Sequence, residues 1–276
     1  MTTASTSEAF GVPALIEASV GTPEHAFRMT PMIVGDEGIE GSMRPGGLPH
    51  GADGRPAAGA VGVLVDDVLG FALIAAVRRP SWSVSVEISL DFLEPLTSTG
   101  ALHVTGHGTD VDGLAGFASG DLRDDNGRVL VKARQHGRFL PRTHGAPSGQ
   151  STVVEPLASV LDLLGAVTSS DLQGATLTIA DTRPWLNPLG GVHGGVAICA
   201  AEAVATCATM DSAQPLRTTS MSVSFGRPVK GEGPVIFKTR TIHNGRTLRL
   251  IDVTGSVDGR PCAFARVVRQ ASAAAQ

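Results

Sequence analysis

The run Asn187-Pro-Leu-Gly-Gly-Val-His-Gly-Gly195, followed by Glu202, combines the groups that acyl chemistry needs. A glycine-rich turn lets backbone approach a ligand closely. A helix N-terminus presents unpaired N–H groups carrying partial positive charge. The N–H of Gly194 therefore suits a carbonyl oxygen on which negative charge develops. Glu202 falls about two helical turns further on, flanked by Ala200, Ala201, Ala203 and Val204. A carboxylate in such surroundings needs a partner or a purpose, and burial makes it a better base or nucleophile. Thr206 shares its helix face and can hydrogen-bond Glu202 or an attacking water. Asn187 is placed to orient substrate or water through its side chain.

The elements that must hold these groups occur twice. A Pro-, Gly- and Ser-rich stretch, 141–152, reads as a linker between an N-terminal unit, 25–140, and a C-terminal unit, 153–276; residues 1–24 read as a flexible N-terminus. Each unit carries one long apolar helix, roughly Gly59–Val77 and Gly194–Met210, with acid inside it: Asp66 and Asp67 in the first, Glu202 in the second. Alternating, extended segments follow each helix, and both of the first segments end in Phe-x-x-Pro, Phe92/Pro95 and Phe225/Pro228. Asp124–Gly127 and Val257–Gly259 read as hairpin turns at matching places. A helix apolar nearly all round must be wrapped by its sheet. The fold class is therefore α+β, two units in one chain, each a long central helix inside a curved antiparallel sheet.

Composition narrows the function. Of 276 residues, 42% are hydrophobic and only 4% aromatic, so the core rests on aliphatic side chains. The net charge of −4 and the lack of a basic block argue against nucleic-acid binding. Three cysteines are too few for a disulfide framework. No leader-like N-terminus and no apolar run of about 18 residues is apparent, so a cytoplasmic protein that does not cross a membrane is the expectation. His103 and His107 share a strand face but have no obvious acidic or cysteine partner, so no metal is expected. Serine-hydrolase elbows, phosphate loops and dinucleotide fingerprints are absent from the sequence.

The motif resembles that of the PaaI-like hotdog acyl-CoA thioesterases, Asn-Pro-x-Gly-x-x-His-Gly-Gly with an acidic residue nine positions after the His; His193 and Glu202 have that spacing. The resemblance covers most of the second half at motif level and is weaker over the first. It implies a double-hotdog fold and hydrolysis of an acyl-CoA or acyl-carrier thioester, Glu202 being base or nucleophile and Gly194 N–H the oxyanion donor. It assigns His193 to supporting the turn, and Gly195 and Arg246 to the coenzyme A side of the site. The family site lies between two hotdogs, which brings Ser85 of the first half to the site of the second. The first-half counterpart reads as degenerate: Ala52 and Ala58 replace Asn and His, leaving Asp67 with Thr218 as its cross-partner. No cofactor is implied beyond coenzyme A within the substrate, and the resemblance implies a homo-oligomer. Other readings are an enoyl-thioester hydratase or dehydratase on the same fold, a non-catalytic acyl-CoA-binding protein, and a structural scaffold.

Overall fold

The computed structural model describes residues 15–16, 21–35, 38–77, 81–141, 159–171, 174–212, 214–228 and 233–271. The first half contains β1 (Leu15–Ile16), α1 (Pro23–Ala26), β2 (Met32–Gly35), β3 (Gly38–Met43), α2 (Val61–Ala76), β4 (Ser81–Phe92), β5 (Leu102–Asp110), β6 (Ala115–Asp124) and β7 (Val129–Pro141). The second contains α3 (Val160–Leu164), β8 (Ala166–Asp171), β9 (Gly174–Ile179), α4 (Gly194–Cys207), β10 (Leu216–Phe225), β11 (Val235–Asn244), β12 (Leu248–Val257) and β13 (Arg260–Ala271). All strands join one sheet in the order β1-β2-β3-β5-β6-β7-β4-β10-β13-β12-β11-β9-β8. From β3 to β9 that order is symmetric about its middle, so each half is the same five-strand sheet around its own helix. This is the double-hotdog arrangement anticipated above. The 141–152 linker lies, apart from Pro141, outside the described residues.

The halves meet along β4 and β10, antiparallel, with Ile88 opposite Val223. Both side chains are buried, so the seam has a core of its own and the sheet crosses it unbroken. The β12–β13 hairpin turns at Asp258 and Gly259, φ 49° and 72°, where the sequence pattern placed it.

Twelve consecutive residues of α4, Gly195 to Thr206, are buried, Glu202 and Thr206 among them. The stretch Ala58–Ala76 around α2 corrects one expectation: its 19 residues are long and apolar enough to cross a membrane by length and composition. Most of that stretch is buried inside the protein, within the curved sheet.

The two helices run antiparallel and nearly touch. Gly62 faces Ile198, Gly195 faces the Val63 backbone, and Gly59 faces Glu202 and Cys199. A Cβ on Gly62 would lie 2.6 Å from Ile198 Cγ2, and one on Gly195 would run into the backbone of Val63. Glycine at these two positions therefore sets the helix separation, and the close approach brings the start of each helix beside the acidic residues of the other.

Candidate active site

Asp66, on α2, points at the start of α4. Its Oδ2 accepts the Gly195 N–H at 2.9 Å and its Oδ1 accepts the Ser85 hydroxyl at 2.6 Å. Gln135, on β7 and 1% exposed, donates from Nε2 to Ser85 Oγ at 3.0 Å. The result is a directed chain, amide to hydroxyl to carboxylate, that fixes the Asp66 rotamer. Next to it the Gly194 N–H, first in the helix, has no protein acceptor among the described residues. A Cβ placed on Gly194 would come within 2.7 Å of Asp66 Oδ2, so only glycine lets the start of α4 lie this close to the acid. Asp66, Ser85, Gln135, Gly194 and His193 border one cavity of about 850 Å³ with largely apolar walls that include Phe71, Trp82 and Leu140.

His193 caps α4. Its Nε2 donates to Asp67 Oδ1 at 2.9 Å, and its Nδ1 lies 3.0 Å from the Gly195 N–H and 3.2 Å from Asp66 Oδ2. Glu24, at the start of the chain's first described helix, approaches Nε2 at 3.6 Å. Burial alone would depress the imidazole, but the carboxylates of Asp67, Glu24 and Asp66 hold it well above its ordinary value. Burial pushes Asp67 up to about 7, helped by the charge of Glu24 and opposed by His193. For Glu24, burial works in the same direction, but hydrogen bonding to and charge on His193 override it and bring the group down to about 2. These three residues bring ligand-capable atoms within 4.8 Å of one another, a spacing that could hold a cation. In this structure those atoms are engaged with each other, and they lock the turn that presents Gly194.

Glu202 lies elsewhere. Its Oε1 accepts from Thr206 Oγ1 at 2.9 Å, Thr218 Oγ1 at 2.6 Å and Arg269 Nη1 at 3.1 Å. Arg269, 3% exposed, also bonds Asp53 through Nη2 at 2.9 Å and Leu216 O at 2.8 Å, and Nη1 contacts Thr206 Oγ1. Glu202 is thus the acid half of a buried ion pair. It borders a second cavity, of about 770 Å³, on the far side of the helix pair.

Several sequence-based expectations are corrected by this geometry. Gly194 N–H and Glu202 do not share a cavity, because the helices are antiparallel and each acid faces the start of the opposite helix. Ser85 does reach the Gly194 site, as anticipated, but it serves Asp66. Thr218 serves Glu202, not Asp67. The first-half equivalent of Glu202 is Asp66: both bond a hydroxyl from the strand after the helix, Ser85 or Thr218, and both lie by a residue of the last strand, Gln135 or Arg269. The first-half acid that reaches the Gly194 turn is therefore Asp66, where counting along the sequence had chosen Asp67; it lies beside His193 and pairs with no arginine or lysine among the described residues. The N-terminal stretch read as flexible contributes Glu24 to the His193 cluster.

The other motif residues divide between loop and surface. Asn187 lines the Asp66 cavity, but its Oδ1 accepts from the Leu189 and Gly191 amides at 3.0 and 3.1 Å and so holds its own loop. Gly195, expected against coenzyme A, is buried between helices with its amide committed to Asp66 and His193. Arg246 is exposed near the β11–β12 turn and borders neither cavity. Thr206 bonds Glu202 as its four-residue spacing predicts. His103 is bonded to Ser42 and Asp125. Gln135, Arg269, Asp53 and Glu24 were missed. Gln135 and Arg269 had one available signal: each is a long polar side chain at an inward position of the last strand of its half.

Comparison with known proteins agrees with this architecture. Residues 182–270 match the family model described as the acyl-CoA thioesterase N-terminal domain. None of the curated proteins matches the sequence. Among solved structures, a tesB protein of Mycobacterium avium subspecies paratuberculosis superposes with a TM-score of 0.63 at 13% identity, over 92% of this chain and 100% of that one. A conserved hot dog fold protein of unknown function from Alicyclobacillus acidocaldarius gives 0.62 at 11% identity, over 91% and 98%. The 12:0-ACP thioesterase of Umbellularia californica gives 0.58 at 10%, over 84% and 94%. At these identities the structural likeness establishes the hotdog fold. The family match, with thioesterases among those neighbours, supports a hotdog-fold thioester hydrolase.

Proposed function

We propose that the protein hydrolyses an acyl-CoA or acyl-carrier thioester in the Asp66 cavity, with Asp66 of the first half and Gly194 of the second acting on one substrate. The observation that carries this reading is the open Gly194 amide at the head of α4, beside a carboxylate that pairs with no arginine or lysine among the described residues and has His193 Nδ1 at 3.2 Å. In the scheme the thioester carbonyl oxygen accepts from Gly194 N–H, and Asp66 takes a proton from water as that water adds to the carbonyl carbon. The C–S bond then breaks, and the proton held by Asp66 passes to the departing thiolate. Asp66 could equally attack the carbonyl carbon itself; both routes use the same two groups. Ser85 and Gln135 are positioning residues that aim the carboxylate. His193, tied to Asp67 and Glu24, holds the turn and adds positive charge near the oxyanion position. The scheme calls for no metal or redox cofactor, and coenzyme A enters only as part of a substrate. A reducing, cytoplasmic setting, assembly into a homo-oligomer and membership of the PaaI-like branch extend the same reading.

The test is thiol release from a panel of acyl-CoA and acyl-carrier esters, with Asp66→Asn and Glu202→Gln compared at equal folded concentration. Asp66→Asn should lower kcat by about 100-fold or more, while folded Glu202→Gln should keep most of it. Full turnover by Asp66→Asn, or selective loss in Glu202→Gln, would return the chemistry to Glu202.

A further inference from the structure

The second cavity has lost its free carboxylate but not its volume. About 770 Å³ remains, walled by Phe92, Pro95, Leu96 and Pro215 together with Arg55 and Arg217. The other charges there are balanced: Glu202 and Asp53 hold Arg269, and Glu94 is paired with Arg128. Arg55 and Arg217 are not balanced. Among the described residues Arg55 Nη1 donates only to Leu216 O at 3.5 Å, and Arg217 Nη1 only to Phe92 O at 3.4 Å. Arg55 reaches the peptide that precedes Arg217, both residues line this one cavity, and both are only half-buried. A neutral acyl chain would have no use for them. A cation would be repelled.

The geometry points to a second, non-hydrolytic site in this cavity for an acyl carboxylate, its anionic head on Arg55 and Arg217 and its chain against Phe92, Pro95 and Leu96. Guanidinium is the group best suited to a carboxylate, through paired N–H donors. Turnover of a thioester is not expected here, because the Arg269 guanidinium pairs with the Glu202 carboxylate and makes it a weak base, even though its Oε2 accepts from no described residue. The choice of an acyl acid rests on the hydrolase reading, since hydrolysis releases such an acid; the cavity and its unbalanced charge stand without it.

Decanoate is the probe. Isothermal titration of the full chain should show a decanoate site that becomes about tenfold weaker or more in Arg55→Ala/Arg217→Ala, and that decan-1-ol does not occupy. Neither arginine makes an ion pair with a described residue, so the double variant should fold. If it does not, the Leu96 methyl resonances of the wild-type protein decide, and should shift with decanoate but not with decan-1-ol. Wild-type affinity and stoichiometry in the folded double variant would overturn the proposal, as would unmoved Leu96 methyls. Decanoyl-CoA hydrolysis is followed on the same samples. Arginine-dependent binding without any hydrolysis removes the enzymatic reading alone. Hydrolysis without arginine-dependent binding removes this site alone.

Discussion

The two acid clusters, Asp66–Ser85–Gln135 and Glu202–Thr218–Arg269, are built on the same plan and differ mainly at the last position. In both, a helical carboxylate accepts a hydroxyl from the following strand, at 2.6 Å in each case. In the first, the last strand offers an amide, which orients the hydroxyl and carries no net charge. In the second it offers a guanidinium, which bonds the carboxylate directly. Burial accompanies the change: the Asp66 side chain keeps 11% exposure and borders its cavity beside an open amide, while the Glu202 side chain keeps 4%. A buried ion pair restrains both partners, because separating them would leave a charge without solvent. The comparison shows that a carboxylate's presence on the central helix does not make a site. On the proposed reading, the residue facing it from the end of the sheet decides whether it is available for chemistry or committed to structure.

The sharpest way to break the comparison is to remove each acid and read stability. Glu202→Ala takes from the buried Arg269 one of its two carboxylate partners, leaving Asp53, and should cost about 3 kcal/mol by denaturant unfolding, whereas Glu202→Ala/Arg269→Leu should recover much of that. Asp66→Ala, which leaves the Gly195 amide without that acceptor, should cost less, about 1–2 kcal/mol. Equal losses at both positions would erase the distinction. Next in size is a transplant. Gln135→Arg gives the first cluster the residue that neutralises the second, and should lower kcat about 10- to 100-fold with KM little changed; unchanged kcat would show that the last-strand position does not control the acid. Ser85→Ala should lower kcat about tenfold, and Ser85→Thr should restore it, as Thr218 stands in that place in the second cluster.

The smallest effect expected is on pH dependence. Glu24 ionises at about 2 in the folded protein, against an ordinary value of 4.5. Its folded-state pKa is depressed, so the stability it contributes is present above about pH 4.5 and is lost as pH falls towards 2. Replacing it in Glu24→Gln should flatten the acid limb of a plot of stability against pH. An unchanged acid limb would detach Glu24 from His193.

Much of the fold was readable from pattern alone. Apolar stretches around Asp66 and Glu202 were too evenly apolar to lie on a surface, and the paired Phe-x-x-Pro segments marked the two strands that form the seam. The glycine-rich start of α4, Glu202, Thr206 and Ser85 were also legible, each from type and spacing. The pairing between them was not. Sequence separation is blind to the antiparallel crossing at Gly62 and Gly195, which swaps the acids between helix starts. Asp66 and Asp67 are adjacent in the chain but point about 100° apart on the helix, so matching Asp67 to Glu202 by counting from Ala58 chose the wrong face. Gln135 and Arg269 sit in strands rich in other polar residues, and only the wrapped sheet singles them out. Glu24 reaches His193 from a part of the chain whose composition gave no hint of order.

The unbroken β4–β10 joint has a consequence for how such a molecule can change. If two identical chains met along that edge, every substitution would be made twice, and an arginine at the end of the sheet would silence both acids at once. Joined in tandem, the lobes are free to differ: one carries the amide-bearing glycine turn, the other the acid that pairs with no arginine. On the proposed reading neither lobe alone then holds the complete set, and the polypeptide link makes that division of labour heritable as a unit.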